Sequence, residues 1–302
     1  MKVSSIIKTI FFGNYFYGLC AIALSIEATL QQRYPLNNLF FYVALFSVTI
    51  WYYTIAYITE QETITTNQRT NWYNENKVFV KWSQILLQVI CLVFLFFFLK
   101  EHWKKLLHLT AIQIGLIAIF PVVAALYYGI NYKLIGNVNL RNIGWMKPFV
   151  IGFTWAGLVN VYPIIFYNIV HEAKGNISFI ACLLFIKNFM FVTVLCIMFD
   201  IKDYAMDSNQ QLKTFVVKTG LRKTIFYILI PLSIAGLGSF LLYGFTHQFS
   251  AMKIALNTIP FLCMITVAYS LHKRKSIFYY LILIDGLMLL KAICGTIAMV
   301  YF

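Results

Sequence analysis

Charge is scarce in this chain. Asp, Glu, Lys and Arg make up 11% of its 302 residues, whereas a water-soluble domain carries roughly 25%, and a soluble enzyme is excluded on that ground. Only ten residues are acidic, so chemistry that needs carboxylates must draw on very few positions. The six cysteines (Cys20, Cys91, Cys182, Cys196, Cys263, Cys294) fall inside apolar runs at no regular spacing, which argues against a disulfide framework and against a zinc site. The five histidines (His102, His108, His171, His247, His272) show no i, i+4 or H-E-x-x-H spacing, so no haem or histidine metal box is indicated.

Long apolar runs are what the chain has instead, with 61% hydrophobic residues. At about 20 residues per crossing, nine segments can span a bilayer: about 5–26, 37–59, 79–99, 106–130, 148–170, 177–199, 224–245, 251–271 and 277–301. They are roughly twice the length of a barrel strand and do not alternate in polarity, so helix is the element they predict. The expectation is one all-α polytopic domain over 1–302, embedded in a lipid bilayer. Lys2 and Lys8 ahead of the first run imitate a signal peptide. That run is too long and lacks a small-x-small cleavage site, so it reads as the first anchor.

The net charge of +14 raises the question of nucleic acid, and the distribution of the basic residues answers it. Sixteen of the 24 Lys and Arg lie at the N-terminus and in the loops after the second, fourth, sixth and eighth runs, six lie opposite, and two, Lys187 and Lys291, fall within runs. That is the positive-inside pattern. It predicts a multi-pass protein of the cytoplasmic (inner) membrane with the N-terminus cytoplasmic and the C-terminus outside, and no nucleic-acid partner. The same side carries the long polar loops 60–78, 131–147 and 200–223, where functional groups are expected.

Three of the ten acids, Asp200, Asp203 and Asp207, stand at the inner end of the sixth run. On a continuing helix i, i+3 and i+7 share a face. Carboxylates there oppose the helix dipole and repel one another, which calls for a cation; Mg²⁺, held by few carboxylates and completed by waters and substrate phosphates, suits the position. The wider segment reads Asp200-Ile-Lys-Asp203-Tyr-Ala-Met-Asp207, then Lys213-Thr214-Phe-Val-Val-Lys-Thr-Gly220. It resembles the second aspartate-rich motif of the UbiA superfamily of intramembrane prenyltransferases, a D-x-x-D-x-x-x-D run followed by K-T-L-x-V-x-x-G. Nine helices with long loops after the second and sixth are also that family's architecture.

The resemblance implies nine transmembrane helices around a central cavity, a Mg²⁺ cofactor, a prenyl diphosphate donor and a hydrophobic acceptor, aromatic or lipid-like. It implies metal ligation by Asp200, Asp203 and Asp207, with Glu62 in the last acidic position of the first motif when Arg69 is matched to that motif's arginine. Asp203 and Arg69 are the implied catalytic residues. Arg69, Lys133 and Arg141 are the implied diphosphate contacts, and Asn67, Tyr128, Tyr204 and Lys187 the implied cavity positions. Thr54 and Ile58 stand where the family has Asn and Asp, so the metal site is expected to rest on the later loop. A non-catalytic descendant that binds an isoprenoid lipid or a membrane partner is the alternative. Within the spans, Lys187, Asp285 and Lys291 should face the bundle interior and find partners, with Lys187 and Asp285 the expected pair. A secondary transporter is less favoured because no repeat of broken helices is evident, although Gly152, Gly157 and Pro163 could interrupt the fifth span.

Overall fold

The computed structural model describes residues 5–59, 68–128, 130–132, 136–138, 143–173, 178–204 and 214–302. In chain order these form α1 (Ser5–Phe12), α2 (Tyr15–Gln31), α3 (Leu39–Thr59), α4 (Gln68–Glu75), α5 (Lys77–Leu106) and α6 (Ala111–Tyr128). A small antiparallel hairpin follows, β1 (Ile130–Tyr132) and β2 (Gly136–Val138), with Asn131 opposite Asn137. Then come α7 (Lys147–His171), α8 (Phe179–Asp203), α9 (Phe215–Thr219), α10 (Leu221–Thr246), α11 (Ala251–Ser270) and α12 (Ile277–Tyr301). Among the described residues the fold is therefore all-α apart from one hairpin. Six helices among the described residues, α5, α7, α8, α10, α11 and α12, are long and apolar enough to cross a membrane. The pair α1 and α2 qualifies as a seventh if taken as one bent span, and the apolar parts of α3 and α6 are shorter.

The departures from straight helix have local causes. The first run is broken by 59° between α1 and α2, where Asn14 takes a left-handed conformation (φ 66°), a region that asparagine tolerates better than most residues. In α7 the turn Gly157–Val161 is widened to a π-helical turn just before Pro163, whose ring and missing N–H disrupt the normal ladder; the expected interruption of the fifth span is this bulge. The same arrangement recurs in α10, where Thr224–Leu229 is π-helical ahead of Pro231. At the end of α8 the helix tightens to a 3-10 turn over Ile201–Asp203, so the regular α-helical pitch is interrupted just past Asp200, and Tyr204 is again helical.

Packing contacts run in a cycle: α2 against α12, α12 against α11, α11 against α10, α10 against α8, α8 against α7, and α7 back against α2. Helix α3 lies between α2 and α5, and α6 packs on α7. Helices α2 and α12 run in the same direction, with Tyr17 beside Asp285 and Glu27 beside Lys291. Helices α7 and α8 run opposite, with Lys147 beside Asp200 and Asn160 beside Asn188. One core joins them, including Leu24, Val159, Ile197, Met198, Leu229, Met264 and Ile284.

Between membrane helices, close fit rather than the hydrophobic effect drives association, and small residues allow it. A Cβ on Gly152 would lie 2.2 Å from Thr193 Oγ1 and 3.0 Å from the Phe189 carbonyl of α8. Gly152→Val is accordingly expected to force α7 and α8 apart and to cost about 1–3 kcal/mol, measurable as a lowered Tm in detergent.

Candidate functional site

The short helix α4 closes one end of the bundle. Its Arg69 is buried, with Nε donating to the Phe12 carbonyl at 3.2 Å and Nη2 donating to Asn14 Oδ1. The guanidinium lies 4.3 Å from the centre of the Tyr57 ring. Asn14 Nδ2 in turn donates to Thr54 Oγ1 at 3.0 Å and to the Tyr73 hydroxyl at 3.1 Å, and Tyr73 donates to the Phe12 carbonyl at 2.9 Å. The carbonyl and side chain exposed by the break between α1 and α2 are thus the groups that Arg69 and Tyr73 satisfy. Burial works against the Arg69 charge, but the surrounding Tyr57, Tyr73 and Tyr17 phenols and Asp285 favour it, and its pKa is raised above the ordinary arginine value. Burial also pushes the Tyr73 phenol up to about 12 against the pull of Arg69, so it remains a neutral donor.

Asp285 sits at the same end, buried, accepting from the Tyr17 hydroxyl at 2.8 Å and within electrostatic reach of both Arg69 and Lys202. Lys202 pairs with its neighbour Asp203 at 3.2 Å. The ends of α4 and α8, far apart in sequence, are therefore brought together around Asp285. Tyrosine rings crowd the space beneath: Tyr17 stacks on Tyr53 at 4.7 Å, the Tyr53 hydroxyl accepts from Trp155 Nε1 at 2.5 Å, and Tyr280 lies edge-on to Phe199.

The two described aspartates of the acidic motif have different surroundings. Asp200 is buried, with Oδ1 2.9 Å from Lys147 Nζ, while its Oδ2 has no hydrogen-bond partner among the described residues. Asp203 is more open, with 39% of its side-chain surface accessible, and its partner is the adjacent Lys202. Tyr204 is half-buried and packs on the core, and Tyr128 is the last residue of α6. Glu62, Asn67, Lys133, Arg141 and Asp207 lie outside the described residues. Among the described residues no group of three His, Cys, Asp or Glu side chains gathers closely enough to hold a metal.

Lys187 corrects an expectation. It does not pair with Asp285 but reaches Gln31 Oε1 at 2.8 Å and Glu27 Oε1 at 3.7 Å, and Lys291 holds the other Glu27 oxygen at 2.5 Å. Asp285 is instead claimed by Tyr17. The physical reason is position along the helices: Lys187 lies thirteen residues before Asp200, about 20 Å along α8, whereas Asp285 lies at the Asp203 end. Glu27 was missed because the first apolar run in the sequence stops at residue 26; the helix continues to Gln31 and carries that acid into the bundle.

Long apolar helices around buried polar clusters are consistent with an integral membrane protein. Comparison of the chain with protein-family models, curated proteins and solved structures finds no match.

Proposed function

We propose that the chain is an intramembrane prenyltransferase-like protein: nine spans around a central cavity, a cytoplasmic N-terminus, and transfer of an isoprenyl group from a prenyl diphosphate to an aromatic or lipid-like acceptor with Mg²⁺. The observation that carries the reading is that α4 and the end of α8 share one end of the bundle, where Phe199 packs against the cluster of Phe12, Trp72, Tyr73 and Leu281 and Asp285 is within electrostatic reach of Arg69 and Lys202.

The donor set suits the metal. Asp200 offers an unpartnered oxygen and Asp203 a half-exposed carboxylate, both hard oxygen ligands of the kind Mg²⁺ takes. With Asp207 they would hold it, and Glu62 would contribute from the first loop. Bound there, the ion would supply charge neutralisation for a leaving diphosphate. The chain's own groups do the rest: Arg69, Lys133 and Arg141 contact diphosphate oxygens, and the tyrosine faces stabilise cationic character on the allylic group. Apolar walls would exclude water, and Asn67, Tyr128 and Tyr204 would border the cavity at its motif end, with Lys187 about 20 Å deeper along α8.

One observation favours the second reading, a non-catalytic binder of an isoprenoid lipid. Thr54, at a motif position of the first loop, is buried and tied to Asn14, so it serves the hinge. The deciding experiment incubates purified protein with Mg²⁺, a panel of prenyl diphosphates and acceptors, and reads released pyrophosphate and bound diphosphate. Turnover is the expected result; Mg²⁺-dependent binding without turnover selects the second reading. Asp203→Asn is expected to weaken Mg²⁺-dependent diphosphate binding by about tenfold or more, the loss of one charged contact. Binding unchanged in this variant would leave the acidic segment as a solvated helix end.

A further inference from the structure

The second polar cluster lies deep in the bundle, well away from the acidic motif, and its charges do not balance. Glu27 from α2 is flanked by Lys291 from α12 and Lys187 from α8. Among the described residues Glu27 is the single carboxylate paired with either lysine. The remaining paired acids are engaged elsewhere: Asp200 with Lys147, Asp203 with Lys202, and Glu172 with Lys105. Two ammonium groups therefore share one carboxylate in surroundings of low polarity, where an uncompensated charge is strongly unfavourable.

The two lysines are not equivalent. Lys291 is sealed, with 5% of its side chain accessible against 1% for Glu27, while Lys187 keeps 21%. Lys291 is satisfied by Glu27 and by the face of Phe191, 5.6 Å away. Lys187 has the weaker hold, a long approach to Glu27 and a bond to the neutral Gln31, and an ammonium has three donors. Next to it, Asn188 donates to Asn160 Oδ1 at 3.0 Å, and its own Oδ1 is unpartnered. The excess positive charge is thus presented on the one accessible member of the cluster, surrounded by apolar helix.

We propose that Lys187, backed by Gln31, Glu27 and Lys291, is a binding site for the carboxylate of an apolar acid. The charge sets the class: one surplus positive charge is neutralised by one negative charge, which fits a carboxylate and not a phosphate monoester. The setting requires the remainder of the ligand to be apolar. The site does not depend on the transferase reading and lies about 20 Å along α8 from Asp200.

The test uses the full chain in phosphatidylcholine nanodiscs with radiolabelled oleate and radiolabelled benzoate as probes and inorganic phosphate as competitor. Saturable binding of at least one probe is expected, oleate pointing to a lipid-derived acid and benzoate to an aromatic one. Lys187→Gln is expected to weaken it about tenfold or more, as the loss of a charge-assisted contact does, while Lys187→Arg retains it. Gln31→Glu, which supplies the missing negative charge internally, is expected to abolish binding and raise Tm, a combination that misfolding cannot imitate. The proposal is overturned if neither probe binds saturably, if Lys187→Gln and Gln31→Glu both bind as the parent chain does, or if phosphate competes as well as the unlabelled acids.

Discussion

Arg69→Ala is expected to lower the stability of the protein by about 3–6 kcal/mol, because two hydrogen bonds from a buried charged group, each worth roughly 1.5–3 kcal/mol, are lost together. The Phe12 carbonyl and Asn14 Oδ1 would lose their guanidinium donors, and the Tyr57 face would lose its cation, a further contribution of about 0.5–2 kcal/mol. These groups belong to the break between α1 and α2, so the hinge should loosen first. Arg69→Lys is expected to recover only part of the loss, since a single ammonium cannot reproduce the planar fork. Thermal unfolding in detergent, followed by tryptophan fluorescence, reads the change through Trp72, which packs against Phe12 and Tyr73. Diphosphate binding should fall in the same variant. A fall in binding with Tm unchanged would show that Arg69 meets ligand without anchoring α4.

How far this arrangement was legible beforehand differs between the helices and their partners. Hydropathy alone places α7, α8, α10, α11 and α12 within a few residues of their observed ends, because an apolar run of bilayer length has few alternatives to helix. The break at Asn14 was not legible, since one asparagine within an apolar run is compatible with a straight helix. What selects the left-handed turn is the set of partners, Thr54, Tyr73 and Arg69, that come from two other helices.

The acidic segment shows the same limit. Its position at the end of α8 follows from sequence, but the burial of Asp200 against Lys147, 53 residues away, follows from the antiparallel packing of α7 on α8. That packing depends on close contacts such as Gly152 on Thr193. The intramembrane lysines were recognisable as groups needing partners. Which carboxylate they find depends on the parallel pairing of α2 with α12, and pairing between helices has no periodic signature in the sequence.

That pairing leads to the other large effect. Glu27→Leu is expected to cost about 3–5 kcal/mol, the penalty of leaving a buried charge without its partner, and here two ammonium groups are left. Gly295 faces the same carboxylate so closely that a Cβ there would lie 2.5 Å from Glu27 Oε1, which means that α2 and α12 are fitted around this side chain and its loss also opens a gap. The double variant Glu27→Leu with Lys291→Met removes one charge of each sign and so restores the net charge of the parent cluster. Replacing a whole buried ion pair with apolar groups of similar volume is often neutral or even stabilising by about 1–4 kcal/mol, so the double variant is expected to regain most of the lost stability. Size-exclusion profiles and Tm in detergent compare the three proteins. Recovery in the double variant after collapse in the single one identifies charge imbalance as the cause; a single variant as stable as the parent would mean that neither lysine is charged in the folded protein, and the ion pair would then contribute nothing to holding α2 on α12.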